Sequence, residues 1–243
     1  MSYNLTISCN FRTGSVLPSI ESQYTDLWKL AVTLQSLGFP LDEWYPPADT
    51  QEQALLNSAF TDTGPSLAAL AMAKADKDNL DTDLRSLGVW NGKEGDEGAT
   101  YTTSYDTGRI PSRLRFRTRN VGALQDYRNV IKLTRNIVGM WKPMLVQVGP
   151  ADYSDNSVFP DRPGAGWMLY LPFAINAHQV PEAADVIKIM DDKGKAQQGS
   201  LIITVAETFD AQNPEHIKKA NAIETRLVDQ DLLPTNSEFV AKF

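Results

Sequence analysis

Residues 84–119, LRSLGVWNGKEGDEGATYTTSYDTGRIPSRLRFRTR, are the part of the chain that best indicates the fold class. Two strand-like runs, Leu84–Trp90 and Thr100–Tyr105, are joined by the glycine-rich stretch Asn91–Gly98. A third run, Arg113–Arg119, places an arginine at every second position, and such a period of two indicates another strand. Because three strands follow one another without a helix between them, the pattern favours an α+β fold over a regular β-α-β series.

The chain before this region is predicted to contain a strand and two main helices. Apolar and polar residues alternate over Tyr3–Arg12, which indicates a strand with one buried face. Apolar residues spaced by three and four then begin at Ile20 and end near Gly38, as expected of an amphipathic helix. Pro65 suits the first turn of another helix that reaches about Ala75.

The chain after this region is predicted to contain a long central helix and a C-terminal helix. The helical pattern from Leu124 to Trp141 is followed by Pro143, which ends it. Asn213 and the residues after it supply an N-cap, a first-turn proline and an early acid for a helix that runs to about Leu232. Short strands are expected at Met144–Val148, Trp167–Leu171 and Ser200–Ala206. We therefore expect residues 1–243 to form a single α+β domain, with a largely antiparallel sheet packed with several helices.

Composition excludes several classes of protein. A chain of 243 residues with 42% hydrophobic residues can bury a core without disulfides, and its single cysteine cannot form an internal one. The longest apolar run, about Leu67–Ala73, is far shorter than the ~20 residues that a membrane span needs. Met1–Arg12 has no basic region followed by an apolar stretch, so no signal peptide is expected. We expect a cytoplasmic protein with no membrane partner.

Charge is distributed unevenly along the chain. The net charge is -7, which argues against general nucleic-acid binding, since that requires cations that replace counterions. Residues 41–100 hold 12 acids and 4 bases, whereas residues 101–150 hold 2 acids and 9 bases. One basic stretch therefore follows a strongly acidic one.

Motifs for catalysis are absent from the sequence. There is no phosphate-binding loop that ends in Gly-Lys-Ser/Thr, no His-Glu-x-x-His and no Gly-x-Ser-x-Gly. Four aspartates lie close together before the strand-like run Leu84–Trp90: Asp76, Asp78, Asp81 and Asp83. The segment has neither the glycine nor the closing glutamate of a calcium-binding loop, so we interpret it as a solvated connector. We expect no catalytic residue, no cofactor and no metal site, and hence no enzyme.

Two other functions stay open at this point. A small-ligand-modifying enzyme would need carboxylates gathered in a pocket, and the strand-end acids to consider are Asp106, Glu207 and Asp210. A nucleic-acid or scaffold-binding module would use the Arg113–Arg119 strand, which could hold phosphates. Against the second reading, no aromatic residue is interleaved on the arginine face of that strand for base stacking.

Several stretches together carry a resemblance to a known family. They are Trp44–Asp49 with Glu52–Leu56, Leu87–Gly92, Gly166–Pro172, and Gly199–Thr204 followed by Glu207–His216 and Ala220–Glu224. From about residue 3 to residue 234 the chain resembles the immunity protein 52 family of bacterial polymorphic toxin systems. The resemblance implies a cytoplasmic antidote whose partner is a toxin, typically a nuclease of restriction-endonuclease fold, delivered in some bacteria by type VI secretion. It also implies that the shared motif residues define the fold rather than contact the toxin.

Physical reasoning supplies candidate partner-binding residues that the resemblance does not. A nuclease presents cations to a polyanion, so an acidic inhibitor can occupy the same field and associate quickly. We hypothesise that the acidic stretch 76–97 forms part of the interface. Its members are the connector acids Asp76, Asp78, Asp81 and Asp83 and the hairpin acids Glu94, Asp96 and Glu97. The protein could plug the active site of the toxin or grip a remote surface.

Overall fold

The computed structural model describes residues 3–108, 110–191 and 193–242, and it gives an α+β fold. The strands are β1 (Asn4–Phe11), β2 (Phe60–Thr61), β3 (Gly64–Pro65), β4 (Leu84–Trp90), β5 (Ala99–Asp106), β6 (Ser112–Arg119), β7 (Leu145–Gly149), β8 (Met168–Leu171), β9 (Asp185–Met190) and β10 (Gln197–Ile203). The helices are α1 (Ile20–Gln35), α2 (Gln51–Ala54), α3 (Leu67–Ala75), α4 (Tyr127–Trp141), α5 (Pro214–Asp229) and α6 (Asn236–Lys242).

Contacts divide the chain into two compact units. The first contains Arg12–Leu124, and the second contains Asn4–Phe11 together with the chain from Gln125 onward. The expected α+β class with a largely antiparallel sheet is confirmed, since each described strand pairing is antiparallel. The single domain expected over residues 1–243 stays a prediction.

The first unit is built around a meander of β4, β5 and β6. β5 pairs with β4 on one side and with β6 on the other. The alternating sequence gives this sheet two unlike faces, because successive side chains of a strand point to opposite sides. The apolar residues of its buried face include Leu87, Val89, Tyr101, Leu114 and Phe116.

Helix α1 packs on this buried face. The side chain of Ser19 accepts a hydrogen bond from the backbone of Ser22 and caps the helix. Tyr101 donates its hydroxyl hydrogen to the carbonyl of Leu27 at 2.9 Å, which ties the sheet to the helix. The buried amide of Gln23 donates to the carbonyl of Thr103 at 3.0 Å, so a polar group inside the unit has its partner.

The second unit is a sheet in the order β1-β7-β8-β10-β9 with α4, α5 and α6. Helix α4 lies on β1, where the rings of Phe11 and Trp141 are 6.2 Å apart. The side chain of Asp126 caps this helix by accepting from the backbone of Arg128. β8 is buried along its whole length, as the apolar run that predicted it would require.

The main predicted elements are confirmed, and three details were wrong. Pro65 lies in β3 rather than in a helix, because the hydroxyl of Ser66 caps α3 one residue later. Leu124 belongs to a 3₁₀ turn that precedes α4. β10 begins and ends three residues earlier than the expected strand Ser200–Ala206. Within the described residues, no helix has both the length and the hydrophobicity to cross a bilayer.

Candidate binding surface

The first unit presents a polar surface on the side of the meander opposite to its buried face, here called the outer face. Strand register sets its side chains in rows across β4, β5 and β6. The rows are Ser86–Ser104–Arg113, Gly88–Thr102–Arg115 and Trp90–Thr100–Arg117. These side chains are exposed or half-buried, so the outer face is available for contact with another molecule.

The arginine row, Arg113, Arg115, Arg117 and Arg119, follows β6 along one side of the outer face. Partial burial lowers the pKa of Arg115, and repulsion from Arg117 and Arg113 lowers it further. In the described part of the chain, neither Arg115 nor Arg117 has an ion-pair partner. The arginine face of β6 has no aromatic residue of its own, but β4 supplies one, because Trp90 shares a row with Arg117.

The connector acids lie before β4 and serve partly as turn formers. Asp76 accepts a hydrogen bond from the backbone of Asp78 at 3.0 Å. Asp81 accepts one from the backbone of Asp83 at 2.8 Å and a longer one from Leu84. These bonds lower the pKa of Asp81, since they favour its charged form. All four connector acids are exposed, so their charge is still presented to solvent.

The hairpin acids lie in the turn between β4 and β5, and two of them already have partners. Asp96 accepts from the side-chain amide of Asn120 at 2.8 Å. Glu97 pairs with Lys93 at 3.2 Å. Glu94 has no hydrogen-bond or ion-pair partner among the described residues, and it lines a groove. Of the three, Glu94 therefore has the carboxylate most available to a partner.

The hairpin turn that carries these acids is held in one conformation. The side chain of Asn91 donates to the carbonyl of Glu97 at 2.8 Å and accepts from the backbone of Ala99 at 2.8 Å. Glu97 itself adopts a left-handed backbone with φ of 64°. A Cβ atom on Gly98 would lie 2.9 Å from the carbonyl oxygens of Lys93 and Gly95, which leaves room for glycine alone. The turn is therefore fixed before any partner binds.

The connector acids and the hairpin acids do not form one patch. They lie at opposite ends of β4, whose seven residues span roughly 20 Å at the usual rise of a strand. The predicted stretch 76–97 is thus two acidic groups that flank a strand. Whether either group contacts a partner stays a prediction.

A groove of about 480 Å³ runs beside β4 and reaches the hairpin acid Glu94. One wall is the segment from Pro47 to Ala54, and the other is formed by residues of β4 and β5 that include Ser86, Gly88 and Trp90. The carboxylates of Asp49 and Glu94 both line it, and neither has a cationic partner in the described chain. Asp49 is a candidate contact that the sequence analysis missed.

The acids proposed for an enzyme are divided between the two units. Asp106 belongs to the first unit, whereas Glu207 and Asp210 belong to the second. A backbone hydrogen bond lowers the pKa of Glu207, and His216, 3.2 Å away, lowers it further. A general acid would need the opposite shift. Among the residues that the structure describes, no cluster of three His, Cys, Asp or Glu could hold a metal ion.

Comparison with protein families identifies the chain. The model of the family described as Immunity protein 52 matches residues 19–236. The chain belongs to the immunity protein 52 family. The resemblance seen in the sequence is thereby confirmed.

Solved structures and curated proteins add less to this identification. A Pseudomonas aeruginosa protein described as a T6SS protein has a TM-score of 0.56 and 14% identity, over 93% of this chain and 73% of that one. At that identity the likeness shows a shared fold alone. A crystal structure of the toxic C-terminal tip of CdiA from Pseudomonas aeruginosa in complex with immune protein has a TM-score of 0.35 and 10% identity, over 65% of this chain and 92% of that chain. Such a score is too low to indicate a shared fold. No curated protein matches the chain.

Two of the residues that carry the resemblance to the immunity protein 52 family, Trp167 and Glu224, are buried and hydrogen-bonded in the second unit. Glu224 is 1% exposed and accepts hydrogen bonds from the hydroxyl of Tyr153 and from the backbone of Val158 and Ala165. The indole of Trp167 donates to the carbonyl of Val205 at 3.0 Å. These contacts tie irregular loops to α5 and β8. They support the expectation that the motifs of the second unit define the fold.

Proposed function

We propose that this member of the immunity protein 52 family binds a cognate toxin and neutralises it by stoichiometric binding, without catalysis. The observation that carries this proposal is the family match over residues 19–236. The pKa of Glu207, which its hydrogen bonds lower, supports the non-catalytic part, since a general acid needs a raised pKa. The protein would act in the cytoplasm of the cell that makes the toxin.

The toxin is proposed to be a nuclease of restriction-endonuclease fold that is delivered by type VI secretion. The acids of residues 41–100 support a nuclease partner, because a nuclease must carry cations that attract its polyanionic substrate. An acidic inhibitor is drawn to those same cations, which raises the rate of association. The Pseudomonas aeruginosa neighbour of similar fold is described as a T6SS protein, which is consistent with this delivery route.

The connector acids and the hairpin acids are proposed to contact the toxin. They are exposed, and the hairpin acids stand on a rigid turn, so little conformational entropy is lost on binding. Because the two groups lie at opposite ends of β4, an interface that used both would run along the length of that strand. This placement is compatible with blocking the active site of the toxin and with binding to a surface of the toxin away from that site.

The test is a pull-down with the product of the adjacent gene, expressed as a catalytically disabled variant, followed by a nuclease assay on the active toxin. We expect a one-to-one complex and loss of nuclease activity when the immunity protein is added. A toxin that binds and stays active would contradict neutralisation. Silencing of a toxin that is not a nuclease would contradict the nuclease assignment and retain the antidote role.

A nucleic-acid or scaffold-binding module is the second candidate, and one observation favours it. The arginine row is exposed on β6, and Trp90 lies in the same row as Arg117, so cations and a stacking ring share the outer face. Retention on heparin at moderate salt, abolished by Arg115→Gln and Arg117→Gln together, would support this function. Flow-through of the unmodified protein would exclude it.

A further inference from the structure

Strand β4 has backbone N–H and C=O groups that form no hydrogen bond with another strand. On its far side from β5, the only described pairing is with Tyr45: the Tyr45 N–H donates to the Trp90 carbonyl at 2.8 Å, and the Trp90 N–H donates to the Tyr45 carbonyl at 3.0 Å. In an antiparallel pair, alternate residues turn both backbone polar groups to the same side. The N–H and C=O groups of Gly88 and Ser86 therefore point to the side of Tyr45, away from β5.

The sequence explains why the pairing with Tyr45 stops after one bridge. Continuing it in antiparallel register would place Pro47 opposite Gly88. Proline has no N–H to donate, so the ladder cannot continue and the chain leaves β4. The four groups of Ser86 and Gly88 have no backbone partner in the described part of the chain. The groove of about 480 Å³ opens beside them.

We propose that an extended segment of the toxin enters this groove and adds to β4 as a strand, hydrogen-bonded to Ser86 and Gly88. The segment carries a lysine or arginine that meets the carboxylates of Asp49 and Glu94. This inference rests on the proposed function, which it deepens by naming the contact surface. Strand addition of this kind takes its affinity from main-chain hydrogen bonds and its specificity from pockets for alternate side chains.

The charge and polarity of the groove decide what can occupy it. Asp49 and Glu94 line the groove, and neither has a cationic partner among the described residues, so a basic side chain is complementary to them. Two exposed apolar residues are near lining residues in the sequence. Leu56 is 75% exposed and follows Ala54 by two positions, and Leu84 is 48% exposed and precedes Ser86 by two positions. A partner segment with a basic residue and flanking apolar residues fits this surface.

β9, an edge strand of the second unit, is protected against such addition. It carries the exposed charges Asp185 and Lys188, and charged side chains on an edge strand discourage pairing with another chain. The charged residue of β4, Arg85, is buried and donates to the side chain of Gln23, so no charged side chain of β4 is exposed. The two edges thus differ in the feature that controls strand addition, and β4 is the receptive one.

Amide hydrogen exchange, followed by NMR on the labelled protein with and without the toxin, tests the proposal directly. In the free protein the Ser86 and Gly88 amides should exchange fast, while those of Leu87 and Val89, which bond to β5, stay protected. In the complex we expect exchange at Ser86 and Gly88 to slow by about tenfold or more, and exchange along β9 to stay unchanged. A complex in which both amides still exchange fast would overturn the strand-addition site and leave the proposed function standing.

A pair of variants gives a second readout. Ser86→Pro removes an N–H that points away from β5, so the ladder of the protein itself stays intact, while the proline ring blocks an added strand. Ser86→Ala is the matched control, because both variants lose the hydroxyl contact with Ser104. We expect toxin affinity to fall about tenfold or more for Ser86→Pro alone. Equal affinity of the two variants would overturn the site, whereas no complex even with the unmodified protein would refute the proposed function and the site with it.

Discussion

Replacing the buried carboxylate of Glu224 by an amide of nearly the same size and shape should measurably lower the free energy of unfolding. One carboxylate oxygen accepts from the Tyr153 hydroxyl and from the Ala165 N–H, and the other accepts from the Val158 N–H. In Glu224→Gln, one acceptor oxygen becomes an NH₂ group that faces a donor. At least one donor of this network then loses its partner, which costs about 1–3 kcal/mol.

Thermal or urea unfolding measures this loss. For a chain of this size, about 2 kcal/mol corresponds to a fall of about 4–8 °C in Tm. Glu215→Gln on the same helix is the control, because Glu215 is exposed and its loss should cost under about 1 kcal/mol. Equal stability of Glu224→Gln and the unmodified protein would refute the view that this network holds the loops to α5.

Three further predictions concern the hairpin and the surface. Reversal of the three hairpin acids to lysine should slow association with the toxin several-fold and flatten its salt dependence, which stopped-flow kinetics would detect; unchanged kinetics would remove these acids from the interface. Gly98→Ala should destabilise the protein by about 1–3 kcal/mol, because the added Cβ would lie too close to two carbonyl oxygens of the hairpin. Gly14→Ala is the control, since Gly14 has open space around it and its replacement should change stability by under about 0.5 kcal/mol. Equal unfolding curves of the two variants would contradict this prediction. The ion pair with Lys74 lowers the pKa of Glu21 to about 2, so its stabilising effect is complete above about pH 4.5 and is lost as the pH falls toward 2. The stability difference between the unmodified protein and Glu21→Gln should therefore shrink as the pH falls from about 4.5 and vanish only below pH 2, and a difference that stays constant over that range would contradict the assigned cause.

Alternation of residue types explains why much of the sheet could be predicted. β1 and β6 each separate a buried face from a polar one, and that separation is visible as a period of two in the sequence. β9 was missed because Ile189 alone is buried in Asp185–Met190, so no period appears. Helix α6, Asn236–Lys242, is short and has no apolar repeat long enough to reveal it.

The candidate site was predicted less well, since it depends on contacts between distant parts of the chain. The acids of 76–97 were visible as charge, but they were treated as one stretch although an extended strand of seven residues separates them. The edge of β4 is free because its pairing with Tyr45 is limited to the one bridge at Trp90. No local sequence pattern predicts that bridge. The role of Glu224 likewise depends on Tyr153, 71 positions away.

The most direct test of the central claim is a titration of toxin activity with increasing amounts of the purified protein. Neutralisation by binding predicts that activity falls linearly and reaches zero at equal molar amounts of the two proteins. The inhibited mixture should recover activity when the complex is dissociated and the toxin is refolded alone. Progressive silencing of the toxin by far less than equimolar protein, with no recovery after separation, would contradict a binding antidote and indicate catalysis.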